Sequence, residues 1–227
     1  MSQAIISLLF NSCKAPGNLE GHIAQFPNRG DYPTHFLWDA CFHNLALDYM
    51  HPRLSKDALL LLAKNMRPDG KMPHFLCSTW MRPEDSQPPL VGWAALRYIK
   101  LHNDTAFARE ILPCLLKNNE WWTQSRATRT GLVRANSALE TGWDNSPRFD
   151  ASRHVIAADM NTYLWLQINA AKEIARLTNH TTKAEELSGQ EKELANKMAE
   201  HLFDSETGLF YDKLVETQEF VKIIISR

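Results

Sequence analysis

The sequence is poor in the features that mark several protein classes. It has four cysteines in 227 residues, Cys13, Cys41, Cys77 and Cys114, with no CxxC pair among them. That spacing argues against a structural zinc site and a dense disulfide framework, and points to a reducing compartment, the cytoplasm. A long apolar run at the start is missing too. Ala4 to Phe10 is too short to span a bilayer, has no basic residue before it and no small-residue cleavage pattern after it, so it reads as a first helix. No charge of one sign dominates. Lys and Arg number 25 against 26 Asp and Glu, for a formal charge of -1, and their scatter leaves no footprint for nucleic acid or an anionic membrane. The nine histidines never fall in HxH or HxxxH spacing. No metal is therefore expected, and His35, His43, His51 and His74 read as polar groups satisfied by neighbours.

What is present is enough apolar material, 44% of residues against 22% charged, for the core of one globular domain. Helical signals recur while strand signals do not. Trp38 to Met50 reads as a helix rich in apolar residues, and Ser55 as the cap of a second one running to about Asn65. Ser86 is the expected N-cap of a third, with Pro88 and Pro89 in a first turn where a missing amide hydrogen costs nothing, and His102 near its end. Asn103 or Asp104 caps the next, in which Phe107, Ile111 and Leu115 stack at i, i+4 spacing and Pro113 predicts a kink. A helix from about Ala157 to Leu177 follows. Thr182 with Glu185 forms a capping box for a last one ending near Leu202. The six helices fall into consecutive pairs, with long loops at 66–85 and 126–154 between pairs, where a site would be built. The tail closes on the apolar run Val221 to Ile225 with only Ser226 and Arg227 behind it, an abrupt end that hints at truncation.

Three short stretches carry chemistry. In ETGWDNSPRFD, Glu140 to Asp150, the carboxylate of Asp144 stands beside the indole of Trp143, and desolvation by an indole raises the pKa of a carboxylic acid toward what a general acid needs. Arg148, if close, would pull it down. In FLWDACFH, Trp38 and Asp39 pair an aromatic face with a carboxylate, the equipment for a pyranose ring. In SQPP, Gln87 projects from the expected start of a helix, where an amide meets a sugar hydroxyl. Each stretch alone also reads as ordinary structure: a capping loop with a core aromatic, an Asp complementing a helix dipole, a capping amide.

Taken in order, YPTHFLWDACFHNLAL, RPDGKMPHF, SQPPLVGWA and ETGWDNSPRFD resemble the successive motifs of the clan of inverting glycosidases that contains glycoside hydrolase family 63, its mannosylglycerate and glucosylglycerate hydrolase relatives, and the trehalases. The resemblance runs from about Gly17 to Tyr211, and four motifs in order are far more specific than any one. It implies an all-α fold, an (α/α)6 toroid of six inner and six outer helices, of which this chain holds about the first half. It implies that Asp144 is the general acid and that Trp38, Asp39, Gln87, Trp143 and Asn145 form the sugar pocket, with no cofactor and a small carbohydrate as the only partner. The family's general base is a Glu from the second half of the toroid. Glu206, Glu216 and Glu219 stand in the wrong context, so none of them is assigned that role. Residues 1–227 are accordingly expected to be a partial catalytic domain, inactive as it stands. A non-catalytic carbohydrate-binding remnant and a helical-repeat scaffold for a protein partner are the competing readings.

Overall fold

A computed structural model describes residues 2–222. Among these residues there are eight α-helices: α1 (Ser2–Phe10), α2 (Leu37–Met50), α3 (Pro52–Lys64), α4 (Val91–His102), α5 (Thr105–Ser125), α6 (Ala138–Thr141), α7 (Ala158–Leu177) and α8 (Thr181–Leu202). The six long ones form three hairpins, α2–α3, α4–α5 and α7–α8. Helices α2, α4 and α7 stand side by side as an inner row, and α3 and α5 pack behind them across the joins between hairpins. All three inner helices run in the same direction, so the loops that precede them gather at one end.

The core lies between the two rows. Leu59, Leu62, Ala94, Ala95, Phe107, Ile111, Leu115, Trp122, Leu164 and Ile168 are buried there, and the expected stripe on α5 is among them. A polar node crosses this core. The Gln167 amide accepts from the Gly92 N–H at 3.2 Å and donates to the side-chain oxygens of Asn118 and Asn119, both at 2.9 Å, tying α4, α5 and α7 together. These bonds offset the cost of burying the three amides, although the Asn119 NH2 is left without a partner.

Several expected caps are replaced by tertiary partners. Ser55 does not cap α3. It lies inside the helix and its hydroxyl donates to buried Asp48 at 2.5 Å, while His51 Nδ1 accepts from the Leu54 N–H at the true cap. Ser86 does not cap α4, which begins at Val91 after both prolines; the Ser86 hydroxyl instead donates to the Met72 carbonyl at 3.1 Å. Thr182 lies within the first turn of α8, which starts at Thr181 with no side-chain cap, so the capping box does not form. Asp104 does cap α5, accepting from the Phe107 N–H at 2.9 Å, and the helix continues through Pro113.

The loops also carry short strands that the sequence pattern does not announce: β1 (Ser12–Cys13), β2 (Ala24–Gln25), β3 (His35–Phe36), β4 (Phe75–Leu76), β5 (Val155–Ile156), β6 (Phe203–Asp204), β7 (Leu209–Phe210), β8 (Asp212–Leu214) and β9 (Phe220–Val221). They pair antiparallel as β1–β2, β3–β4, β6–β7 and β5–β8–β9. The β3–β4 pair sets His35 opposite Leu76 and Phe36 opposite Phe75, which fixes the 66–85 loop against the start of α2. Of the apolar run in the tail, residues 223–225 lie outside the described residues. No described helix is long and apolar enough to cross a membrane.

Candidate active site

Helix α2 begins without a side-chain cap of its own. Its free N–H groups are taken up by the other loops: Leu37 donates to the His74 carbonyl at 3.1 Å, and Trp38 donates to Gln87 Oε1 at 3.1 Å. The amide oxygen of Gln87 thus caps the helix start from a distance of 49 positions. Gln87 is itself held in place. Ser86 is tied to Met72, and the Lys71 ammonium, over the Trp121 ring at 5.3 Å, donates to the Glu84 carbonyl. The SQPP segment therefore rests on RPDGKMPHF.

The fourth motif reaches the same place through a close contact. Gly142 ends α6 with φ +71°, and a Cβ there would lie 2.2 Å from the Trp38 indole, so only glycine permits the loop to lie on that ring. Two buried ion pairs hold the loop on either side of this contact. Glu140 is fully buried, accepts from Arg126 Nε at 3.1 Å and Arg126 Nη2, and takes the Asn136 N–H at 2.9 Å; the Arg126 guanidinium also covers the Trp121 ring at 4.7 Å. Arg148 pairs with Asp159 at the start of α7, at 3.0 and 3.1 Å, and with Asp212 on β8 at 3.1 Å. Burial disfavours the Arg148 charge, but these two carboxylates outweigh it and push its pKa up. Arg148 is thereby engaged away from Asp144.

Between the two staples, Trp143, Asp144 and Asn145 stand exposed at the loop tip. The expectation of a sheltered Asp144 is not met: Trp143 is itself 47% exposed, and nothing in the described residues covers the pair. Asp39 and Asp144 nonetheless share one surface. Burial raises the Asp39 pKa, and the nearby charge of Asp144 raises it further against a backbone hydrogen bond that lowers it. Trp38, Asp39, Gln87 and the 142–145 loop, from three separate parts of the chain, therefore gather where the inner helices begin.

Two histidines differ from the sequence reading. His35 is satisfied, contacting the Gln25 and Ala58 carbonyls at 2.9 and 2.8 Å, and His51 caps α3. His43 and His74 each keep a buried Nδ1 with no partner. Burial lowers both pKa values to about 4, so both rings are neutral near pH 7. His74 lies beside the site, in the fields of Asp85 and Asp144, with its ring against Phe36 and Phe75 at 5.8 and 5.4 Å. The sequence reading took it for a polar group satisfied by its neighbours, and its place in the RPDGKMPHF motif sets it next to the residues that close on α2.

Three helical hairpins with tryptophans and carboxylates at the end where the inner helices begin define part of an (α/α)6 toroid of the glycoside hydrolase type. Residues 32–224 match the mannosylglycerate hydrolase MGH1-like glycoside hydrolase domain, and the chain belongs to that family. It is 30% identical over 147 residues to mannosylglycerate hydrolase MGH1 of Selaginella moellendorffii, a stretch covering 55% of this chain and 30% of the relative. It is likewise 30% identical over 149 residues to a mannosylglycerate hydrolase of Thermus thermophilus, covering 55% of this chain and 36% of that one. The matched stretch thus spans about a third of the length of these two curated relatives. Among solved structures, a GH63 mannosylglycerate hydrolase of Thermus thermophilus in complex with Tris superposes with a TM-score of 0.83 at 19% identity, over 98% of this chain and 70% of that one. Neutral trehalase Nth1 of Saccharomyces cerevisiae gives 0.74 at 15% identity, over 90% and 51%. At those identities the likeness is one of fold.

Proposed function

We propose that the chain carries the acid half of an inverting, exo-acting glycosidase for a small glycoside, such as a glucosyl or mannosyl glycerate or a short oligosaccharide. The observation that carries this reading is the convergence of Trp38, Asp39, Gln87 and the Gly142–Asn145 loop on one surface. A pyranose ring needs an apolar plate and fixed polar groups around it, and the Trp38 ring, the Asp39 carboxyl and the Gln87 NH2 are of those kinds. Asp144 is the proton donor to the glycosidic oxygen. Trp143 and Asn145 shape the pocket on either side of it. A carboxylate on the opposite face, about 6.5–9.5 Å away, then activates water. That base belongs to the other half of the toroid and lies outside residues 1–227.

The exposure of Asp144 fits this division. In a closed toroid the inner helices of the second half would cover it and exclude water. The acid role is tested in a protein extended with the second half of a family member and assayed on glucosyl and mannosyl glycerates and short α-glycosides. Asp144→Asn is expected to lower kcat by about 10²–10⁴-fold with little change in binding. An unchanged kcat would remove Asp144 from the acid role.

A further inference from the structure

A half-exposed tryptophan on a rigid hairpin stands beside the site and has no part in the core. Trp80 is 56% exposed. It sits at the tip of a hairpin in which Phe75 and Arg82 pair at 2.9 Å, Leu76 faces Met81, and the Cys77 N–H donates to the Trp80 carbonyl at 2.7 Å. The tip is pinned from outside as well. The Asn18 N–H and side-chain amide donate to the Ser78 and Cys77 carbonyls at 2.9 and 3.1 Å. Gly17, at φ +72°, allows the approach, since a Cβ there would lie 2.2 Å from the Ser78 carbonyl oxygen.

The ring is also joined through Phe75 to residues that border the start of α2. Trp80 packs edge-on against Phe75 at 5.0 Å, and Phe75 lies 4.9 Å from Phe36 and 5.4 Å from His74. Phe36 immediately precedes α2, and His74 is in the field of Asp144. Two ring contacts thus separate Trp80 from the region of the acid. An indole held this way is a preorganised plate whose apolar face costs free energy to leave in water and whose N–H stays available at the edge.

Resting on the glycosidase reading above, we infer that Trp80 is a stacking platform for a second pyranose ring. On this view the site prefers a disaccharide or longer saccharide to a single sugar carrying a small acyclic aglycone. The ring that stacks on Trp80 is adjacent to the sugar held by Trp38 and Asp39, and its apolar C–H face meets the indole.

The test measures binding of the 227-residue chain by calorimetry to methyl α-D-mannopyranoside and methyl α-D-glucopyranoside, and to the α-linked disaccharides of the same sugars. The disaccharides are expected to bind about tenfold tighter than the monosaccharides, equivalent to ~1.4 kcal/mol. Trp80→Ala, at an exposed position, should bring the two classes within about twofold while leaving monosaccharide affinity unchanged, and Trp80→Phe should keep most of the preference. A preference that survives Trp80→Ala, or its absence from the unsubstituted chain, overturns the platform while monosaccharide binding that depends on Asp39 leaves the glycosidase reading standing. Failure of every sugar to bind overturns the platform.

Discussion

Asp39 is a residue whose burial works against its charge at neutral pH. Its carboxyl lies in the first turn of α2, where the helix dipole favours an anion, yet burial and the Asp144 charge raise its pKa above the ordinary 3.8. A raised carboxylate pKa means that the folded state prefers the protonated form. The resulting stabilisation is full below pH 3.8 and is lost as pH rises through the folded pKa, so at neutral pH the ionised group costs stability. Asp39→Asn should therefore raise the Tm at pH 7, the gain should vanish on acidification below about pH 3.8, and sugar binding should fall. Thermal melts of the two proteins from about pH 3 to 8 check the sign. A substitution that destabilises at pH 7 would show that Asp39 is held by structure rather than reserved for a ligand. Residues of this kind were legible where chemistry is local: WD, SQPP and GWDNS each place a side chain within a short motif. The free nitrogens of His43 and His74 and the exposure of Asp144 were not, because each depends on which distant segment packs against it.

At the level of elements, the loop that carries Asp144 is positioned by ion pairs, and no sequence period marks them. Arg126 and Glu140 meet from the end of α5 and from α6, and Glu140 also holds the Asn136 N–H, so the pair fixes both the path and the height of the loop. Removing one partner leaves a charge with no solvent. Arg126→Met is expected to cost about 3–5 kcal/mol and to speed amide exchange at 136–146, whereas Arg126→Met with Glu140→Leu should recover much of the loss by burying apolar groups instead. Equal destabilisation in the single and double variants would mean that packing on Trp121, not charge, sets the loop. The helices themselves were readable from apolar spacing and from Asp104. Their starts were not, because α2, α3 and α4 give N–H groups of their first turns to Gln87, His51 and Gln167 rather than to the serines that local pattern nominates.

At the scale of the whole fold, the feature that matters most is the outer surface of the inner row, which among the described residues holds three helices. The face of α2 that turns away from the core carries Phe42, Leu45 and Tyr49, exposed at 41, 44 and 70%, in line below Trp38. Phe42 touches Trp38 at 5.5 Å and Trp93 of α4 at 6.2 Å, so this stripe faces the side on which the inner helices of a closed toroid would meet. An apolar stripe of this kind is tolerated when other helices cover it and promotes self-association when they do not. We therefore expect the 227-residue chain alone to associate at micromolar concentrations, as read by sedimentation, and to show no useful turnover of small glycosides. Extension with the second half of a family member should restore both monodispersity and hydrolysis. If Asp144 is the acid of an inverting displacement, as proposed above, it can protonate the leaving oxygen, but unactivated water must then attack without a base. An open half would also admit solvent around an exposed Asp144 and lose the fixed geometry that gives a bound sugar its reactivity. Robust hydrolysis by the short chain would show that its own carboxylates suffice, and the division of labour between two halves would then be wrong.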